Sequence, residues 1–462
     1  MSAHRHRNNA FARIRGLVVL LVLIPGARAP GFTLTLASQA RFSSFVLTGA
    51  SQPTIADTRK FDFGPGAVAP GYTQVIAQNI YSREAGFGFE PGSQVVCMDR
   101  GGKDALRSDL CASEKPFYFS VAVPEGNYNV TVTFGDPKAE SVTTVKAELR
   151  RLMIERVKTR PGKFETRTFT VNVRAPQIAG DGEVKLKERE QTTETWAWDE
   201  KLTLEIKHAR PSVCAIEITR VDVPTIYLLG DSTVCDQPRE PYNSWGQMLP
   251  RFFKRGLAIA NHAESGESLR SSLAAKRLDK VLSLIKPGDY LFIQYGHNDE
   301  KEKGEGVGAF TTYKADLKKF VDGARQRGGI PVLITPVQRR SFDKDGRITN
   351  SHGDYPEAVR QLARAERVPL IDLNAMSKPL YEAWGVEPSR KAFAPNDNTH
   401  HNNYGSYEIA KCIVEGIWAK KLGIVKYLMN DTPRFDPSRP DPIDGFKVPA
   451  SPLVDVTKPP GS

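Results

Sequence analysis

The run Tyr227-Leu228-Leu229-Gly230-Asp231-Ser232-Thr233 decides the fold. It reads as a short apolar strand that breaks at a glycine and then presents an acid and a hydroxyl. Working outward, further apolar strand candidates fall at 258–261, 289–294, 331–335 and 368–372, after a first at 225–229. Helical patterns separate them. Phe310, Tyr313, Leu317, Phe320, Val321 and Ala324 share one face at spacings of three and four, and Ile409, Cys412, Ile413, Gly416 and Ile417 mark a last helix. Short apolar strands alternating with helices predict an α/β fold, a parallel sheet covered on both faces. In such sheets a site forms beyond the C-terminal ends of the strands, which is where Ser232 would be exposed.

Upstream the texture changes. Residues 117–123 and 128–134 alternate apolar and polar side chains across the turn Pro124-Glu125-Gly126-Asn127, which predicts a hairpin. Residues 167–173, 201–206 and 215–218 repeat the pattern without a convincing helix, so residues 58–222 read as an all-β sandwich or jelly roll. The α/β domain is expected over 224–428, and the Pro- and Asp-rich stretch 431–462 as an extended tail. At 462 residues, the chain is long enough for two or three folded units at about 150 residues each. Residues 1–40 are expected to be a signal peptide and leader. Arg13 and Arg15 precede the apolar run 16–24, and Ala27-Arg28-Ala29 or Ser38-Gln39-Ala40 supplies small residues for cleavage. The expected location is therefore secreted or periplasmic, with no stable membrane insertion, because no later segment is long and apolar enough to span a bilayer.

The chain carries 64 Lys and Arg against 53 Asp and Glu, a net charge of +11. That excess suits an acidic polymer or no specific partner; no finger or basic helix points to nucleic acid. The five cysteines, Cys97, Cys111, Cys214, Cys235 and Cys412, include no C-x-x-C pair, which argues against a zinc site. Cys97 and Cys111 could pair in an exported protein.

Three blocks downstream of Ser232 lie where the sheet edge would collect them: Ser265-Gly266-Glu267-Ser268, Gly296-His297-Asn298-Asp299, and Asp397-Asn398-Thr399-His400 followed by Gly405. A serine hydroxyl is hardly ionised at neutral pH and needs a base, and acyl transfer needs donors aimed at the developing oxyanion. His400 can be that base, with Asp397 holding its imidazole. The backbone N–H groups of Ser232 and Gly266 and the side-chain amide of Asn298 can be the donors. The Asp-x-x-His spacing and Gly405 favour His400 over His401. His297 is expected to be structural or to line the cleft, Asp231 and Asp299 to support their turns, and Cys235 to be an inert thiol.

In order and content these four blocks resemble the GDSL, or SGNH, hydrolase family, with its Ser, Gly, Asn and His in that sequence. Within it, the phrases Ser244-Trp245-Gly246-Gln247-Met248-Leu249-Pro250, Tyr295-Gly296-His297-Asn298-Asp299 and His352-Gly353-Asp354-Tyr355-Pro356 resemble the rhamnogalacturonan acetylesterases. The resemblance implies a flavodoxin-like catalytic domain with no cofactor and no metal. The β-rich region, with Phe61-Asp62-Phe63-Gly64 near its start, resembles the galactose-binding-like jelly roll that accompanies some of these esterases. The implied function is a serine carbohydrate esterase that removes acetyl groups from pectic polysaccharide. The alternatives are an SGNH esterase acting on acetylated xylan or a lipid, and a sugar-binding protein with vestigial catalysis. A monomer is expected, with an acetylated acidic polysaccharide as substrate. Arg339, Arg340 and His352 either grip galacturonate carboxylates through paired hydrogen bonds or form a solvated basic loop. Trp245 and Tyr295 either stack on sugar or pack.

Overall fold

The computed structural model describes residues 58–180 and 182–453; the expected leader and the last residues of the expected tail, 454–462, lie outside them. Five strands, Thr225–Gly230, Ala258–Asn261, Tyr290–Gln294, Ile330–Ile334 and Leu370–Ile371, form one parallel sheet. Their spatial order is second, first, third, fourth, fifth. Period-two alternation separates the two faces. Ile226 and Leu228 pack with Ile409, Ile413 and Ile417 of the helix Asn403–Ala419, whereas Tyr227 and Leu229 pack with Leu317, Phe320 and Val321 of the helix Lys314–Gln326. Both faces are covered, which is why the strands carry apolar side chains in unbroken runs. Phe310 departs from its expected place on the helical face. It sits in a π turn, Ala309–Tyr313, and is 46% exposed, because the wider turn rotates it away from the residues that follow.

The N-terminal β-region has two five-stranded sheets packed face to face and a smaller three-stranded sheet of Ser212–Val213, Asp109–Ala112 and Val96–Asp99. Of the larger two, one runs Phe164–Val173, Gly126–Gly135, Ala215–Val221, Thr58–Phe63, Thr73–Val75, and the other Phe87–Phe89, Phe117–Ala122, Lys201–Lys207, Ser141–Ala147, Arg151–Thr159. Phe61 and Phe63 of the first meet Phe89 and Phe119 of the second in edge-to-face contacts at ring separations of 4.9–6.0 Å. The expected hairpin is not formed. Phe117–Ala122 and Gly126–Gly135 are both strands, but they lie in opposite sheets, each antiparallel to other partners. Alternation records that a strand has a buried face; it does not select the neighbour. Cys97 and Cys111 face each other across an antiparallel pair and form a disulfide.

The two regions share a buried seam. The turn between Ser141–Ala147 and Arg151–Thr159 carries Glu148 and Arg150 at φ of 56° and 63°, a conformation that drives the tip into the α/β domain. There Arg150 donates to the Gln237 and Tyr242 carbonyls at 3.0 and 2.8 Å and pairs with Glu240 at 2.6 Å. Arg151 donates to the Ile259 carbonyl at 3.2 Å, and Leu152 joins the α/β core. The tail expected to bury little is instead a strap as far as residue 453. Phe435 and Val448 are buried against the same core, and Ser451 accepts from Lys146 at 2.8 Å and donates to Glu205 at 2.8 Å. Its extended, proline-rich backbone lays single side chains into existing gaps, so sparse apolar content suffices.

Candidate active site

Ser232 follows the first strand of the parallel sheet, at the point where strand order reverses and a crevice opens. Gly230 just before it is required for space, not for a left-handed turn. A Cβ there would lie 2.6 Å from the Gln294 carbonyl oxygen of the adjacent strand and 2.6 Å from Val234. Asp231 fixes the turn, as expected. One oxygen accepts the Thr233 backbone N–H and hydroxyl at 2.9 and 2.8 Å, and the other meets His297 Nδ1 at 3.2 Å. Burial works against the Asp231 anion, but His297 and the Thr233 donors outweigh it and hold the carboxyl below its ordinary range. Burial pulls His297 down to about 4, so its ring is neutral at neutral pH and serves as a strut.

Ser232 differs from the expectation of an exposed nucleophile: it is 3% exposed. His400 closes over it, with Nε2 2.8 Å from Ser232 Oγ. His400 Nδ1 is in turn 2.8 Å from Asp397 Oδ2. The Asp-x-x-His spacing has a local cause. Asp397 Oδ1 accepts the backbone N–H groups of Thr399 and His400 at 2.7 and 3.0 Å, so one carboxylate both shapes the turn and holds the ring. Burial opposes the Asp397 charge, but the His400 ring and these N–H groups bring its pKa down to about 2. His401 points away from Ser232. It hydrogen-bonds the Tyr381 hydroxyl at 2.7 Å and packs on Phe393, and burial holds it down at about 3. The Tyr242 ring meets His400 edge-on at 5.8 Å.

The two other blocks converge on the same place. Asn298 Nδ2 donates to the Glu267 carbonyl at 3.0 Å, which ties the third block to the loop of Gly266 and leaves one amide hydrogen for another acceptor. Gly266 has φ of 75°, a left-handed conformation that glycine adopts without strain. Asp299 accepts the Leu269 N–H at 2.9 Å at the start of a helix; burial, with Asp231 adding to it, raises its pKa to about 8 despite that bond. Burial pushes the Cys235 thiol up to about 12, which leaves it inert.

Of the residues weighed as sugar contacts, Trp245 and Tyr295 take the packing alternative, and Arg340 and His352 are buried, neither gripping a carboxylate at the surface nor forming a solvated loop. Trp245 is 1% exposed and donates to Gln294 Oε1 at 2.9 Å. Tyr295 is fully buried and donates to Ser272 at 2.8 Å. His352 is fixed between the Val337 carbonyl and Glu300, each at 2.8 Å. Arg340 is also buried: its guanidinium donates to Ser389 at 2.8 Å, to Asn398 Oδ1 at 3.3 Å and to the Val386 carbonyl. Its backbone N–H donates to the Asn398 carbonyl at 2.7 Å, so Arg340 braces the loop that bears Asp397 and His400. Arg339 is only part-buried but is paired with Glu300 at 2.5 Å. Sequence reasoning missed Gln237, whose amide donates to the Ser232 carbonyl at 2.8 Å and to Ser265 Oγ at 3.2 Å. No local pattern marks it.

A hydroxyl, imidazole and carboxylate in one hydrogen-bonded line, at the reversal point of a parallel sheet, define a serine acylhydrolase site. Residues 228–406 match the GDSL-like Lipase/Acylhydrolase family, and residues 59–177 match the Beta-agarase/YXIM esterase-like, galactose-binding domain-like family. Rhamnogalacturonan acetylesterase RhgT of Bacillus subtilis (strain 168) is 42% identical over 214 residues, 43% of this chain and 90% of that protein. The uncharacterized esterase YxiM of the same organism is 28% identical over 388 residues, 80% of this chain and 92% of its own length. The crystal structure of YxiM aligns with 79% of this chain and 99% of that one, at 25% identity and a TM-score of 0.43. The chain belongs to the GDSL/SGNH acylhydrolase family and carries a galactose-binding-like domain in front of its catalytic domain.

Proposed function

We propose that this esterase removes acetyl groups from an acidic pectic polysaccharide of the rhamnogalacturonan type, through an acetyl-enzyme on Ser232. The observation that carries the chemistry is the Ser232–His400–Asp397 line, with both contacts at 2.8 Å. The 42% identity to RhgT supports the choice of substrate. Ser232 Oγ attacks the acetyl carbonyl carbon while His400 Nε2 takes its proton. The carbonyl oxygen becomes an anion held by the N–H groups of Ser232 and Gly266 and by Asn298 Nδ2. Collapse breaks the ester bond, and the sugar oxygen leaves with the proton from His400. Water then attacks acetyl-Ser232, His400 takes a proton from the water and returns it to Ser232, and acetate departs. Throughout, Asp397 stays ionised and stabilises the imidazolium.

The acidic polymer is supported by the net charge of +11 and not by an arginine clamp, since Arg340 is buried and Arg339 is paired. Export through the N-terminal leader is part of the same reading, and the Cys97–Cys111 disulfide suits an oxidising compartment. The deciding experiment measures acetate released from acetylated rhamnogalacturonan, homogalacturonan and xylan. The expected order puts rhamnogalacturonan first by at least tenfold in kcat/KM. Preference for xylan would overturn the substrate while leaving the esterase chemistry in place.

A further inference from the structure

The oxyanion loop is gripped from outside its own domain. Lys187 and Arg189 belong to the β-domain's last excursion, at and within the helix Glu188–Thr192. Both donate to one atom, the carbonyl oxygen of Ser265, at 2.7 and 2.6 Å. That oxygen belongs to the peptide unit whose N–H is that of Gly266. In a trans peptide the C=O and N–H point in opposite directions, so fixing one end aims the other. Charge-assisted donors on the oxygen also polarise the amide and strengthen its N–H as a donor.

The grip is built rather than incidental. Lys187 pairs with Glu267 at 2.8 Å and Arg189 pairs with Glu264, so each cation brackets the peptide with a carboxylate on the same loop. The two cations therefore bring little net charge to the site; they hold a plane. The helix itself is anchored by a buried pair, with Arg277 donating to both oxygens of Glu190 at 3.1 and 2.6 Å and Trp198 donating to the same carboxylate at 2.9 Å.

We propose that Lys187 and Arg189 are positioning residues for acyl transfer, and that the β-domain completes the oxyanion site by clamping the Ser265–Gly266 peptide. This rests on the assignment of the Gly266 N–H to the oxyanion. It also gives the β-domain a role in the chemical step that needs no sugar to be bound by it.

The test uses the full chain and p-nitrophenyl acetate, whose small neutral ester reports the chemical step without a polymer subsite. Lys187→Ala/Arg189→Ala should lower kcat roughly ten- to a hundred-fold, less than the ~100- to 1,000-fold of losing one donor outright. KM should stay within about two-fold, since the interaction is made in the transition state. Lys187→Arg/Arg189→Lys, which keeps two cationic donors, should recover most of the rate. If the alanine pair does not fold, the single variants Lys187→Gln and Arg189→Gln carry the test, each with a smaller fall in kcat at constant KM. An unchanged kcat, or a loss confined to KM, with Asn298→Ala still strongly impaired, overturns the clamp and leaves the esterase assignment standing. Full activity of Ser232→Ala would instead overturn the assignment on which the clamp rests.

Discussion

At the scale of single residues, the site depends on protonation states set by burial and by short donor sets. Ser232→Ala removes the attacking atom and should lower kcat on the order of a million-fold, read as acetate release with the circular dichroism spectrum unchanged. His400→Ala should approach the same floor. His401→Ala should not: it loses the Tyr381 hydrogen bond and the Phe393 contact, so the melting temperature falls while kcat stays within a few-fold. Asp397→Asn leaves the imidazole without its anion and should cost on the order of 10⁴ in kcat. Asp299 gives a signature of a different kind. Its folded pKa is raised from 3.8 to about 8, so between those values the folded chain keeps a proton that the unfolded chain releases. Its contribution to stability is therefore complete below about pH 4 and is lost as the pH rises toward 8. Thermal unfolding of Asp299→Asn measured from pH 4 to 9 should decline less with pH than the wild type; parallel curves would show that the carboxyl is ionised throughout.

The elements around the site act by bringing loops into register. The helix Asn403–Ala419 starts directly behind His400, capped by Asn402, whose side chain accepts the Gly405 N–H at 3.1 Å. Gly405 lets this helix approach the loop before it: a Cβ at that position would lie 2.0 Å from the Ala392 carbonyl oxygen. Gly405→Ala must push the helix away from the segment that carries Asp397 and His400. The expected cost is about 1–3 kcal/mol of stability, together with a fall in kcat measured at temperatures where the variant is fully folded. A stability loss with kcat untouched would mean that the helix can move without moving His400.

The whole molecule behaves as a clamp between two differently built regions. Arg150 and Arg151 enter the α/β domain, the strap of residues 435–453 ends at the same seam, where Arg150 and the Ser451 N–H both meet Glu240 Oε1 at 2.6 Å, and Leu152 lies in the catalytic core. Breaking a buried charged pair leaves an uncompensated charge, so the seam is costly to open part-way. Calorimetry should therefore show one cooperative transition for both domains. Truncation after Asp431 should weaken it markedly. Phe435 and Val448 are each buried, and at about 1.5–3 kcal/mol apiece their loss alone is about 3–6 kcal/mol. A truncated chain with an unshifted denaturant midpoint would return the strap to the status of a passive tail.

Much of this was legible in the sequence, for a definite reason. The period of apolar residues states which face of an element is buried, and so the five parallel strands, the last helix and the β-rich front could be read in order. The contact between Asp397 and His400 spans three residues and is a matter of local turn geometry, legible from spacing alone. Partners are another matter. The strands 117–122 and 126–135 alternate as a hairpin would but belong to opposite sheets, because alternation carries no information about which strand lies alongside. Trp245, Tyr295, Arg340 and His352 have the chemistry of sugar contacts and are packing residues, a distinction made only by what surrounds them. Ser232 meets His400 across 168 residues, and Lys187 and Arg189 meet Ser265 across 78 and 76. Such distances in sequence are closed by the packing of whole domains, and only the tertiary structure decides which side chains that packing brings to the same carbonyl.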